Sequence, residues 1–417
     1  MKAIDEDGHT WEINRQPPGV SRILNRPDFD LLEVANSLFD CETLVHQGES
    51  ITKVEIPLYQ EYDASLSNQL EELFALTLER QVEIGTVENP QTRFFPVPGL
   101  SLKEGYTCLF SGGIDSYSTL LRASEKFGSI TGCFVDHRGF HKMRGVYNRL
   151  DAHLRSHADI ILRSIPASQH GSFLRRSRGA YYAFLGLLLG RQNLIVGEAG
   201  ATMYQPKLTV LDEVTITAYP GLLRKVGDVA GLIIGKRPNI IIPCEDMTKA
   251  EVISSCPDPD WVKRTFSCSS TTRYATDIGV GHCGSCFACI VRRMSVLVCG
   301  IDDRGYASDI TGPLPSEWAL DNFVQLLRFS IDYLVDKNTL AWCTREIIES
   351  NHKEDLFERF SEDNLAGLLL LAGSSKTGPV VSRMRDVSKH WVDDSDLKER
   401  IAEVRSRETL MDFSRMI

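Results

Sequence analysis

Between residue 101 and about residue 300, short apolar runs alternate with amphipathic stretches. No other feature constrains the fold of this chain as much. "YTCLF", "SITGCFVD", "ADIILRSIP", "NLIVGEA" and "NIIIP" read as buried strands. "SYSTLLRASEKFG", "RGVYNRLDAHLRSH" and "RGAYYAFLGLLLGRQ" lie between them with helical spacing. The alternation predicts an α/β fold with a parallel sheet covered on both faces. Ligands of such sheets bind beyond the carboxyl ends of the strands.

The flanks read differently. Residues 1–100 mix strand-like runs ("ITKVEIPLY") with one amphipathic helix ("SLSNQLEELFALTLERQ") and predict an α+β extension. "ENPQTRFFPVPG", rich in proline, reads as a linker into the 101–300 domain. Residues 301–417 are dominated by helical patterns and predict a helical domain with a charged, amphipathic tail. A length of 417 residues predicts two to three domains, each burying its own core. A net charge of −10 argues against non-specific nucleic-acid binding, which rests on many cation–phosphate contacts. The longest apolar runs, 180–190 and 365–373, fall short of the roughly 18 residues that span a bilayer. No apolar signal core opens the sequence, so a cytoplasmic protein with no membrane partner is expected.

The first strand runs into "SGGIDS", residues 111–116, and then into a helix. Gly112 and Gly113 allow backbone N–H groups to approach an anion closely. The following helix adds its N-terminal donors and the positive end of its dipole. Ser111 and Ser116 offer hydroxyl donors, while Asp115 suits a phosphate site only with Mg²⁺ or as an organiser of the loop. The nucleotide loop G-x-x-x-x-G-K-[ST] is absent. A plain glycine turn explains a bare S-G-G equally well. The full S-G-G-x-D-S between strand and helix is more specific.

Of 11 cysteines, four cluster: Cys268, Cys283, Cys286 and Cys289. The C-x2-C-x2-C run forms one knuckle, and Cys268 completes a tetrahedral Cys₄ set for Zn²⁺. Iron–sulfur ligation is the rival, but no Cys-Pro follows Cys289. Four thiolates leave no open coordination position, which favours structural zinc.

The loop resembles the signature of the N-type ATP pyrophosphatases, or PP-loop enzymes. With the cysteine block it resembles one family within them, the 7-cyano-7-deazaguanine synthases (QueC-like proteins). That family's "TCY…CGxCxxCxxR" stands here as "SCS…CGSCFACIVR", which matches Arg292. "VDHRGFH" is similar to "FDYGQRH", matching Asp136 and His141. "RSRGAYYAFL" matches Arg178, "IVGEAGAT" matches Gly197, and "DMTKAEVI" matches Lys249 and Glu251. The resemblance covers about residues 103–299, roughly half the chain.

What the resemblance implies is a PP-loop fold and a site. ATP is expected on Phe110, Ser111, Gly112, Gly113, Asp115, Ser116, Asp136, Arg178 and Gly197, with Mg²⁺ and with Asp115 and Ser116 catalytic. His141, Lys249 and Arg292 are the expected substrate or phosphate contacts. The implied reaction adenylates a 7-deazaguanine carboxylate and passes it to a nitrogen nucleophile. Departures lie on the acceptor side: "YPDCR" is replaced within "YQPKLTVLDEV", and Phe140 and Gly179 stand where the family has Arg and Asn. Extended members of this kind resemble the QueC-like proteins of bacterial anti-phage operons, type IV CBASS and Qat. There a partner protein's amine is the candidate acceptor. Stand-alone nucleoside biosynthesis and a non-catalytic nucleotide-sensing subunit are the alternatives. tRNA modification is disfavoured by the acidic charge and the missing catalytic cysteine pair.

Three features read as plain structure. His153 and His157 suit a solvated helix face. Arg175 and Arg176, beside Arg178, read as solvent-facing or as anion contacts. Cys244 and Cys256 suit buried structural thiols.

Overall fold

The computed structural model describes residues 1–12, 26–88, 103–136, 141–157, 159–166, 176–189, 191–204, 216–268, 274–276, 279–303, 305–308, 310, 317–338, 353–373, 378–406 and 411–417. The 89–99 linker, Phe140, Arg175, the stretch 205–215 of the altered substrate segment and residues 341–352 lie outside them.

The N-terminal segment runs β1 (Lys2–Asp5), β2 (Thr10–Glu12), α1 (Arg26–His46), β3 (Ile51–Leu58), α2 (Ala64–Leu78) and β4 (Glu83–Glu88). Its strands form one sheet in the order β2-β1-β3-β4. In β3, Ile51, Val54, Ile56 and Leu58 are buried. Helix α2 starts at Asp63, whose carboxylate accepts from Ser65 N at 3.0 Å and satisfies an otherwise orphaned donor.

The central segment runs β5 (Lys103–Leu109), α3 (Ile114–Phe127), β6 (Ile130–Asp136), α4 (His141–Leu154), β7 (Ile160–Pro166), α5 (Arg178–Leu187), β8 (Arg191–Val196), α6 (Gly200–Met203), α7 (Pro220–Ile234), β9 (Asn239–Ile241) and α8 (Lys249–Ser254). All five expected strands are present and lie parallel, in the order β7-β6-β5-β8-β9. Alternate residues of β8 serve opposite faces. Leu194 and Val196 belong to the apolar cluster that also holds α5 and α7, while Ile195 belongs to the one that holds α3, α4 and α8. Burial on both faces explains the uniformly apolar strands. The chain order reverses between β5 and β8, so the crevice that sheets of this kind form at a switch point falls at their carboxyl ends.

The cysteine block forms a small hairpin, β10 (Tyr274–Thr276) and β11 (Gly279–Gly281), followed by α9 (Phe287–Val298). The C-terminal helices are α10 (Glu317–Val335), α11 (Glu354–Ala372), α12 (Pro379–Ser388) and α13 (Asp394–Ser406). No described helix is long and apolar enough to cross a membrane.

Three expectations are corrected. The three segments do not bury one core each: one apolar cluster runs from Val54 and Leu70 through Phe184 and Val226 to Phe323 and Leu397, and a second holds Phe110, Ile195 and Val252. Helix α1 lies on α5, and α2 lies on α7, so the flank covers helices that would otherwise face water. The tail is not helical to its end. Residues 411–417 return beside β9, with Ile417 N donating to Ile240 O at 2.9 Å and Ile242 N to Arg415 O at 3.3 Å. That strap covers the open sheet edge. His153 is not on a solvated face. It stacks on Trp261 with ring centroids 3.7 Å apart, and its Nε2 lies 3.1 Å from both Tyr117 Oη and Asp258 Oδ2. The partners come from elsewhere in the sequence, so local spacing concealed them.

Candidate functional site

The crevice at the sheet switch point holds the 111–113 loop. Gly112 has φ +78°, a left-handed conformation that a side chain strains. The two serines brace the turn. Ser111 N donates to Ser116 Oγ at 3.2 Å, Gly113 N to Ser111 Oγ at 3.2 Å, and Ser116 Oγ to Gly113 O at 3.1 Å. Helix α3 opens at Gly113 without a side-chain cap. Its first-turn N–H groups, which have no intrahelical partners, are left for another acceptor. Phe110, just before the loop, is buried and anchors to β6 through Phe110 N and Cys133 O at 2.8 Å.

Asp115 sits in the first turn of α3 and is almost fully buried. Its Oδ2 pairs with Lys249 Nζ and accepts from Ala199 N at 3.4 Å. Its Oδ1 is buried and has no hydrogen-bond partner. A buried carboxylate oxygen left in this state calls for a cation or a donor from a ligand. Lys249 is the first residue of α8, whose start is held by a capping box of Thr248 and Glu251.

Glu198, which the sequence reading did not single out, completes this group. It directly follows Gly197 at the carboxyl end of β8, and its Oε1 accepts from Thr202 Oγ1 at 2.9 Å. Burial and the Asp115 carboxylate push its carboxyl up from 4.5 to about 7. The only signal in the sequence was an acid just past a strand end, at a switch point that sequence alone does not reveal.

A raised folded-state value means that the folded chain binds more protons than the unfolded chain between about pH 4.5 and 7. Stability contributed by Glu198 therefore falls as pH rises through that window. Glu198→Gln removes the fall, so the variant gains on wild type progressively from pH 5 to pH 8 in the absence of ligand. Urea denaturation across that range checks the sign, and parallel curves for the two proteins refute it.

The other expected residues are placed as follows. Gly197 follows the last residue of β8 and lies against α3, where an added Cβ would lie 2.4 Å from Thr119 Oγ1, so packing alone demands glycine. Arg178 opens α5, and its Nη2 donates to Thr217 Oγ1 at 3.1 Å. Its charge reaches Glu198. A Cβ at Gly179 would collide with Thr217 O at 1.3 Å, which accounts for glycine where the resembled family has asparagine. Asp136 is the last residue of β6, and His141 is the first of α4. Arg176 is half-buried: its N–H donates to Glu42 of α1 at 2.7 Å, and its guanidinium pairs with Glu79 at 2.5 Å. Cys244 and Cys256 are buried as expected, and burial pushes the Cys244 thiol up to about 12.

Arg292 does not face the crevice. It is fully buried and all its N–H groups have partners within the fold. Nε donates to Asp303 Oδ2 at 2.8 Å, Nη1 to Thr265 Oγ1 at 2.8 Å and to Ser267 Oγ at 3.4 Å, and Nη2 to Val262 O at 2.8 Å and to Asp303 Oδ1 at 3.1 Å. It thereby fixes segment 262–267. From that segment Phe266 N donates to Gly112 O at 2.8 Å. Arg292 thus reaches the loop only through the backbone that it holds.

The four cysteines come together. The sulfurs of Cys268, Cys283, Cys286 and Cys289 all lie within 4.8 Å of one another. Cys283 Sγ and Cys289 Sγ are 3.7 Å apart, too far for a disulfide. The edge of a tetrahedron with Zn–S of about 2.3 Å is about 3.8 Å. Backbone N–H groups of Ser285 and Cys286 donate to Cys283 Sγ at 3.4 and 3.2 Å. Hydrogen bonds from the thiols of Cys268, Cys286 and Cys289 and from the Ser285 N–H hold the Cys283 thiol below its usual range. The group is a Cys₄ cluster able to bind a metal such as zinc.

No protein-family model matches the chain, and no curated protein matches it.

Proposed function

We propose that the chain is an ATP-dependent carbon–nitrogen ligase with a PP-loop fold, of the N-type ATP pyrophosphatase class, acting on a 7-deazaguanine carboxylate. One observation carries this reading: the uncapped S-G-G loop, the unpartnered Asp115 Oδ1 and Lys249 meet in the switch-point crevice. A backbone contact from Phe266 joins that crevice to the Cys₄ block.

The loop and first-turn N–H groups of α3 take the β,γ-phosphates of ATP, with Ser111 adding a hydroxyl donor and Ser116 bracing the turn through Gly113 O. Asp115 Oδ1 and the Glu198 carboxyl are the oxygens suited to Mg²⁺, which when bound neutralises charge on the departing pyrophosphate. A substrate carboxylate oxygen attacks the α-phosphorus, the bond to the β-phosphate oxygen breaks, and pyrophosphate leaves. Preorganised N–H donors and the Lys249 ammonium stabilise the charge that develops. An amine nitrogen then attacks the acyl carbon, loses its proton and expels AMP. The altered acceptor region and the two flanking segments favour a protein amine as nucleophile, encoded beside this chain in a bacterial anti-phage operon. The reading implies a cytoplasmic protein and a purely structural zinc.

Incubation with ATP, Mg²⁺ and 7-carboxy-7-deazaguanine should release AMP and pyrophosphate in a carboxylate-dependent manner. Release of ADP and phosphate, or no dependence on the carboxylate, overturns the reading. Added mass on a neighbouring-gene protein identifies the acceptor.

A further inference from the structure

The C-terminal helices reach the crevice through one short helix. Helix α8 begins at Lys249, the residue that pairs with Asp115. Its cap, Thr248, is fully buried and donates from Oγ1 to Asp363 of α11. The other half of the capping box, Glu251, is buried and accepts from Arg359 of α11 and, at 3.0 Å, from Arg400 Nη2 of α13. Arg400 Nε also donates to Asp363 at 2.8 Å, and Arg359 Nη2 donates to Asp246 O at 3.0 Å. Two helices outside the central sheet thus grip both members of the box, on either side of Lys249. The box would close with Thr248 and Glu251 alone, so these outside charges are additional to what the turn requires.

We infer that the C-terminal helical segment is a positioning device for the crevice, with Asp363, Arg359 and Arg400 holding Lys249 on Asp115 through Thr248 and Glu251. These are positioning residues, since none of them touches Asp115. The inference gives the segment a role in the site and, for its kinetic arm, rests on the ATP-dependent reading above.

The test uses the full chain and two readouts. Lys249, buried against Asp115, should resist acetylation by acetic anhydride, as read by peptide mass spectrometry. Thr248→Val and Arg359→Met should raise Lys249 labelling at least about tenfold while circular dichroism and melting stay cooperative, and Thr248→Ser should restore protection. With ATP, the same variants should lose kcat for pyrophosphate release by about tenfold or more with little change in KM for ATP, and Thr248→Ser should recover it. Unchanged labelling in both variants overturns the inference, as does loss that Thr248→Ser fails to rescue. A wild-type chain that releases no pyrophosphate overturns the ATP reading instead, and the labelling arm still decides the clamp. Arg359, on the partly exposed side of the network, is the variant least apt to disturb folding.

Discussion

Cys286→Ser is expected to strip stoichiometric metal from the protein and to lower its stability by more than about 4 kcal/mol. The four sulfurs lie close together without disulfide geometry, and three of the four residues are buried. Without an ion, thiolates held this near one another repel, and burial disfavours their charge. With zinc, binding is folding free energy, on the order of 10 kcal/mol in isolated zinc-binding peptides. The apolar cluster at the knuckle itself consists of the cysteines with Ala288 and Tyr306 packed against them. The effect extends past the knuckle. Phe266, two residues before Cys268, holds Gly112 of the loop, so the variant should also lose pyrophosphate release. Elemental analysis, thermal melting with and without chelator, and turnover of the same preparations measure all three. A wild-type chain that is metal-free yet melts like its chelated form overturns the zinc assignment.

Asp115→Asn should abolish release of AMP and pyrophosphate, a loss of about 100-fold or more. It should also destabilise the fold by about 3–5 kcal/mol, because Lys249 is left buried without its counter-charge. These two effects separate in a second variant. Asp115→Asn combined with Lys249→Met removes both charges, so stability should return towards wild type while activity stays lost. Urea denaturation and a pyrophosphate assay on the three proteins give the comparison. If the double variant recovers turnover, Asp115 serves the fold alone and the chemistry belongs elsewhere.

The central strands and the two motifs were legible because their signals are local. A strand buried on both faces is uniformly apolar, and a metal knuckle needs its ligands at fixed spacing. Among the helices that escaped the reading, two did so for reasons that the packing shows. The 26–46 helix buries Asp30, Asn36, Ser37, Asp40 and Glu42, which breaks its apolar period. Two of these acids have a function in the packing: Asp30 accepts from Tyr62 Oη at 2.7 Å, and Glu42 accepts from the N–H groups of Arg176 and Ser177 at the start of α5. The 220–234 helix carries internal glycines that lower helix propensity. There Gly231 admits Arg237, whose Cα would lie 3.1 Å from an added Cβ.

By itself, then, the sequence determined the alternating α/β core, the glycine loop after its first strand and the four clustered thiols. Only the tertiary structure decided the strand order that makes the crevice, the entry of Glu198, the removal of Arg292 to a supporting role and the grip of the C-terminal helices on α8. The reason is range. Hydrophobic period and ligand spacing act over a few residues, whereas the Asp115–Lys249 pair closes across 134 residues. Which distant charge satisfies a buried one is settled when the elements pack.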